Sequence, residues 1–187
     1  MIEKRGRNMS TITTERLYLS NFKESDAVDF YDYAKNPNVG PIAGWAPHKS
    51  VEDTQEIMKS WFMHENAWTI RLKGEEKMIG VIALEHDKYR PDAKSKEIGY
   101  SLSEDYWGKG IMTEACKAVM KYGFEELELE IIGICTGEVN KRSQRVIEKC
   151  GFQFEGKIRK TYEIYDGSLR DSLVFSILKE EYDALEK

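Results

Sequence analysis

The chain has 187 residues, 41% hydrophobic and 33% charged, the size of one domain with a core of its own. Lys and Arg number 28 against 33 Asp and Glu, a net charge of −5, which argues against non-specific nucleic-acid binding and suits a cationic acceptor. Three Cys and three His are scattered, without C-x-x-C or H-E-x-x-H spacing, which argues against a zinc site or a disulfide framework.

Residues 1–13 read as a polar N-terminal extension, and 14–187 as one domain. No secretory leader is visible. The longest apolar run, 78–84, is far short of the ~20 residues a membrane-spanning helix needs. Cytoplasm, with no membrane partner, is the expectation.

A first strand is expected over 14–22, with Leu17 and Leu19 alternating against polar neighbours. Ser25 and Asp26 cap a helix carrying Ala27, Phe30, Tyr31 and Ala34, which Asn36-Pro37-Asn38 stops. Residues 41–47 read as a loop holding Trp45, and Ser50 opens a second helix running to Phe62. Trp68, Ile70 and Leu72 alternate as a strand, and the unbroken run 78–84 suits a strand covered on both faces.

The fourth strand, 96–103, places Ile98, Tyr100 and Leu102 on one side and Glu97, Gly99 and Ser101 on the other. A glycine turn leads into a helix with its stripe at Ile111, Ala115, Ala118, Val119 and Tyr122. The fifth strand is Ile131–Gly137, and a short helix follows over 140–149, closed by Gly151. Two strands, 154–165 and 168–178, flank the hairpin signal Asp166-Gly167. One α/β domain of seven strands accounts for the chain.

The sharpest local signal is Tyr106-Trp107-Gly108-Lys109-Gly110-Ile111-Met112-Thr113. Glycines allow close backbone approach, and a helix start offers unpaired N–H groups with partial positive charge. Together they make a cradle for phosphate, although a strand–turn–helix is also ordinary connection chemistry. It is neither a P-loop nor a dinucleotide fingerprint, since G-K-[ST] and a third glycine are missing. Downstream, Asn140-x-x-Ser143 opens a helix directly after a strand. A side-chain amide there caps the helix or reaches a ligand amide.

With these constellations in this order, the chain resembles the GNAT superfamily of acyl-CoA-dependent N-acyltransferases, and within it the RimJ/RimL branch. Thr14-Glu15-Arg16-Leu17, Glu97-Ile98-Gly99-Tyr100 and Trp107-Gly108-Lys109-Gly110 carry the resemblance. It implies a mixed sheet whose fourth and fifth strands splay, flanked by helices. It implies acetyl-CoA as cofactor, its pyrophosphate on the backbone amides of Gly108, Lys109, Gly110, Ile111, Met112 and Thr113. The family turn has Gly or Ala where this chain has Met112, whose side chain is then expected to face the core.

Leu102 and Ser103 would pair with pantetheine through backbone groups, and Asn140 would hydrogen-bond it. Two carboxylates are weighed as the general base, Glu104 ahead of Glu97, with solvated surface charge as the competing reading. The family's acid, a tyrosine, is replaced here by Ile147, which leaves Ser143 as acid or as helix-capping residue. Trp45, Trp61, Tyr162 and Tyr165 are candidates for the acceptor wall.

The implied reaction is acetyl transfer to an amine, a protein N-terminus or a small molecule such as a polyamine or antibiotic. The attack would be direct, in a ternary complex. A homo-oligomer is compatible with the sequence. The rival reading is a non-catalytic acyl-CoA-binding module.

Overall fold

The computed structural model describes residues 10–62 and 66–185, with the side chains of 60–62 left aside. Most of the expected N-terminal extension, residues 1–9, lies outside the described residues, as does the Trp61 side chain.

The strands are β1 (Ile12–Thr13), β2 (Leu17–Ser20), β3 (Asn66–Leu72), β4 (Gly80–Glu85), β5 (Ser95–Leu102), β6 (Ile131–Gly137), β7 (Gln153–Glu163) and β8 (Leu169–Leu178). The helices are α1 (Asp26–Ala34), α2 (Gly40–Ala43), α3 (Val51–Phe62), α4 (Ile111–Glu125), α5 (Lys141–Lys149) and α6 (Lys179–Leu185). All eight strands form one sheet in the order β1-β2-β3-β4-β5-β6-β8-β7. Each pairing is antiparallel except β5 with β6. The eighth strand is β1, two residues inside the expected extension that pair with Leu19 and Tyr18.

The expected fourth and fifth strands are β5 and β6. They pair in parallel only from Ser95↔Ile131 to Ile98↔Ile134. Beyond Ile98, β5 runs on to Leu102 and β6 to Gly137 without partnering each other. The sheet therefore opens at its centre.

Two cores sandwich the sheet. On one face, Leu17, Leu19, Trp68, Ile79, Ile82, Leu84 and Ile98 pack against α4, α5 and α6. On the other, Met78 and Val81 pack against Ala27, Phe30, Tyr33 and Met58 of α1 and α3. β4 is apolar and buried from Gly80 to Leu84 because both its faces are covered there, as the run 78–84 foretells, and it ends on the partly exposed Glu85. Met112 is 5% exposed and sits in the first core, so the family's small residue is not needed there.

Three local readings are corrected. The expected loop 41–47 contains α2, a single turn with Pro41 in its first positions and Gly44 left-handed at its end. The Ser25 side chain makes no capping bond. Asp26 instead accepts from the Lys23 amide at 2.8 Å and pairs, buried, with Arg71. The last hairpin turns through three residues, Tyr165 to Gly167, since Ile164 N–H bonds the Ser168 carbonyl at 2.9 Å. Gly167 takes the left-handed position there, at φ 81.

Candidate active site

A cleft of about 440 Å³ lies where β5 leaves β6. Of the expected residues, Leu102, Gly108, Gly110, Ile111, Met112, Thr113, Asn140 and Ser143 line it. Tyr100 lines it from one face of β5 and Ser101 from the other, beside Val39, Ile42 and Ala43. The cleft thus passes through the gap in the sheet, joining the α4 side to the α1–α3 side.

The floor is backbone. Antiparallel strands spend alternate residues on a neighbour, and the Ser103 amide donates to Ile79 at 2.8 Å on the β4 side. The amides of Tyr100 and Leu102 therefore face the side where β6 has parted. Ser103, expected beside the cofactor, does not line the cleft. The Leu102 carbonyl accepts from Trp107 Nε1 at 2.9 Å, fixing that ring beneath the glycine turn.

Gly108 and Gly110 have φ of 74 and 76, left-handed values that favour glycine. A Cβ on Gly108 would meet nothing within 4 Å, so the turn presents open backbone. Gly110 is the residue before α4, whose first amides have no partner within the helix. Arg142, Arg145 and Lys149 line the same cleft, and the Arg142 guanidinium sits 4.0 Å from the Trp107 ring. Open backbone, a helix start and three cations suit a polyanion. An adenosine diphosphate moiety with a pantetheine arm, as in coenzyme A, fits this shape.

An anchor that composition did not reveal holds the turn. Arg16 Nε pairs with Glu114 at 2.6 Å, and its Nη1 donates to the Lys109 carbonyl at 3.0 Å. Thr14 Oγ1 donates to the same Glu114 carboxylate at 2.5 Å. The motif Thr14-Glu15-Arg16-Leu17 thereby ties β2 to the glycine turn and the first turn of α4.

Asn140 caps α5, its Oδ1 accepting from the Ser143 amide at 3.1 Å, and it also lines the cleft. The two roles posed for it are compatible. Ser143 Oγ lies 2.9 Å from the Tyr100 hydroxyl. Burial raises the Tyr100 pKa, so the phenol stays protonated. The sequence shows Tyr100 as an apolar-side strand residue within the motif Glu97-Ile98-Gly99-Tyr100, and its partnership with Ser143 needs the fold.

The two glutamates differ sharply. Glu104 accepts from Asn36 Nδ2 at 2.6 Å and from Asn38 Nδ2 at 3.0 and 3.2 Å. Those bonds, Asn38 first, lower its pKa. Glu97 lies on the α1–α3 face of β5. Desolvation raises its pKa, opposed by the nearby Lys88 charge. Neither lines the cleft directly. Glu85, which sequence reasoning passed over, is the cross-strand partner of Glu97. Its Oε1 would lie 2.7 Å from a Cβ on Gly99. Its carboxylate therefore rests over β5 at the point of parting. The legible signal was Gly99 inside a strand.

Cys116 and Cys150 are buried and Cys135 partly so, and burial pushes the Cys135 thiol up to about 12. Among the described residues no His, Cys, Asp and Glu group could hold a metal ion, and no helix is long and apolar enough to cross a membrane.

A sheet parted beside a glycine turn and a helix start, with three cations lining the cleft, is the arrangement of a transferase that takes its group from a polyanionic carrier. An acetyltransferase (GNAT) domain model matches residues 16–153. An uncharacterized N-acetyltransferase of Bacillus licheniformis, p20, is 31% identical, covering 93% of this chain and 99% of its own length. The Bacillus subtilis "Putative ribosomal N-acetyltransferase YdaF" is 34% identical over 74% of this chain and 77% of its own. The crystal structure of a GNAT-family acetyltransferase from Bacillus anthracis superposes with a TM-score of 0.78 at 26% identity, covering 91% of this chain and 99% of that one. The chain belongs to the GNAT acetyltransferase family, and it is an acetyltransferase.

Proposed function

We propose that the protein uses acetyl-CoA to acetylate a primary amine, by direct attack in a ternary complex. The parting of β5 from β6 carries this reading. It joins a cationic glycine turn on one face to Ser101, Val39, Ile42 and Ala43 on the other through one cleft, with Glu97 on that second face of β5 outside the lining.

When bound, the cofactor supplies an acetyl group activated as a thioester. The backbone amides of Gly108, Lys109, Gly110, Ile111, Met112 and Thr113 hold its phosphates, with Arg142, Arg145 and Lys149 adding charge. Leu102 and Asn140 hold the pantetheine arm. A β5 amide facing the gap, at Tyr100, donates to the reacting carbonyl oxygen as an oxyanion donor does.

An acceptor amine must lose its proton to attack. A lysine-like amine at pKa ~10.4 is harder to deprotonate at neutral pH than an α-amine near ~7.8, by about 3.5 kcal/mol. Glu97, which lies outside the cleft lining, takes this proton through an intervening water. Desolvation makes it a stronger base than Glu104. Glu85, the cross-strand partner of Glu97, lays its carboxylate over β5 on the side from which the amine approaches. Ser143 Oγ, bonded to the protonated Tyr100 hydroxyl, holds a proton toward the cleft for the leaving group.

The motif Thr14-Glu15-Arg16-Leu17 and the likeness to YdaF favour the RimJ/RimL branch, with a protein N-terminus as acceptor. A polyamine is the second reading, favoured by the facing carboxylates Glu85 and Glu97. Thiol release from acetyl-CoA, followed over a panel of N-terminal peptides, spermidine and aminoglycosides, tests the proposal. Release with at least one amine is expected. Thermal stabilisation by acetyl-CoA without release on any acceptor would overturn catalysis, and no stabilisation would overturn the cofactor.

A further inference from the structure

We propose that Glu104 is a positioning residue, which joins the cofactor turn to a wall of the acceptor site formed by residues 36–44. The proposal rests on reading the cleft as a coenzyme A site.

The wall hangs between two fixed points. At its near end, Asn36 and Asn38 each donate a side-chain N–H to Glu104. At its far end the β7–β8 hairpin holds it. Tyr162 OH donates to the Ala43 carbonyl at 2.9 Å, Arg170 Nη1 to the Pro41 carbonyl at 2.9 Å, and the Tyr165 amide to Gly44 at 2.9 Å. Between these points, Val39, Ile42 and Ala43 line the cleft beside Ser101.

Glu104 also opens the single 3-10 turn Glu104–Tyr106. The Trp107 amide donates back to its carbonyl at 3.1 Å, and Gly108 follows directly. One residue thus has its backbone in the approach to the glycine turn and its carboxylate on the acceptor wall. Two amides already occupy that carboxylate, so taking a proton there would cost the wall its anchor. A carboxylate accepts from both asparagines at once. A glutamine offers one oxygen, and an alanine none.

Hydrogen–deuterium exchange on the full chain tests this, with coenzyme A as the probe. Val39 and Gly44 report on the wall, since their amides bond Asn36 and Gly40 carbonyls. In the wild type, coenzyme A is expected to slow exchange over both 108–113 and 36–44. Glu104→Ala is expected to speed exchange over 36–44 by at least about fivefold, with or without coenzyme A, while 108–113 remains protectable. Glu104→Gln is expected to restore part of the protection, and Asn36→Ala with Asn38→Ala to reproduce the loss from the other side.

On any acceptor that turns over, Glu104→Gln is expected to raise KM more than it lowers kcat. Exchange over 36–44 unchanged in Glu104→Ala would overturn the proposal, as would loosening spread evenly over the sheet. If coenzyme A protects neither segment in the wild type, the cofactor reading fails. The comparison of the unliganded variants then still decides the role of Glu104.

Discussion

A carboxylate serves as a base at neutral pH when its surroundings make the charged form costly. Glu97 meets that condition through desolvation, and Glu104, held by two amides, does not. Glu97→Gln is therefore expected to cut turnover by about 100-fold or more. Activity falls as Glu97 becomes protonated, so the acid limb of the pH–rate profile is displaced upward from the ordinary glutamate value, the direction in which desolvation moves this carboxyl. It should vanish in Glu97→Gln and persist in Glu104→Gln. Retention of the limb in Glu97→Gln would reassign the base. Gly99→Ala places a methyl 2.7 Å from Glu85 Oε1, so it should push that carboxylate off β5 and raise acceptor KM while sparing coenzyme A binding. At this scale Asn140, Ser143 and the glycines were legible, because helix caps and left-handed turns leave residue-type signatures. Glu85 and Tyr100 were not. Their roles come from cross-strand register and from a bond to a helix 43 residues away.

Elements with a strong period were legible too. β4 showed as an unbroken apolar run, α4 as a 3.6-residue stripe, and β6 matched its expected bounds. α2 escaped because four residues are too few to display a period. The β2–α4 tie is the clearest gain at this scale. A motif near the N-terminus with no visible chemistry proves to brace the glycine turn. Arg16→Ala removes both the Glu114 pair and the bond to the Lys109 carbonyl. Because Arg16 is largely solvent-exposed, the expected effect on stability is under about 1 kcal/mol. The loss should appear instead as coenzyme A affinity weakened by about tenfold, measured by calorimetry. Asn140→Ala, which loses a cap, should cost about 1 kcal/mol in denaturant unfolding.

At the scale of the whole molecule, the cleft is cationic although the net charge is −5. Arg142, Arg145 and Lys149 line the cleft, while Glu85 and Glu97 are cross-strand neighbours on the α1–α3 face of the sheet. An anionic ligand should therefore bind with an affinity that falls as salt rises. At one hundred times its Kd, coenzyme A should stabilise the fold by about 2.7 kcal/mol, seen as a melting temperature higher by roughly 5–10 °C. The buried Asp26–Arg71 pair tests the second core. Arg71 also donates to Ser20 Oγ at 2.9 Å and to the Glu76 carbonyl at 3.0 Å. Asp26→Ala strands that guanidinium and should cost about 3–5 kcal/mol, with little effect on coenzyme A affinity once the protein is folded.

The sequence by itself determined the element order, the two-sided burial of β4 and the glycine turn before α4. Those features follow from local periodicity and backbone stereochemistry, which act over a few residues. It also brought Glu97 and Glu104 forward as rivals, since each matches a position at which the family it resembles places a base. Only the tertiary structure separated them. Desolvation and hydrogen bonding depend on what the rest of the chain brings alongside, and those neighbours are Lys88 for Glu97 and Asn36 and Asn38 for Glu104.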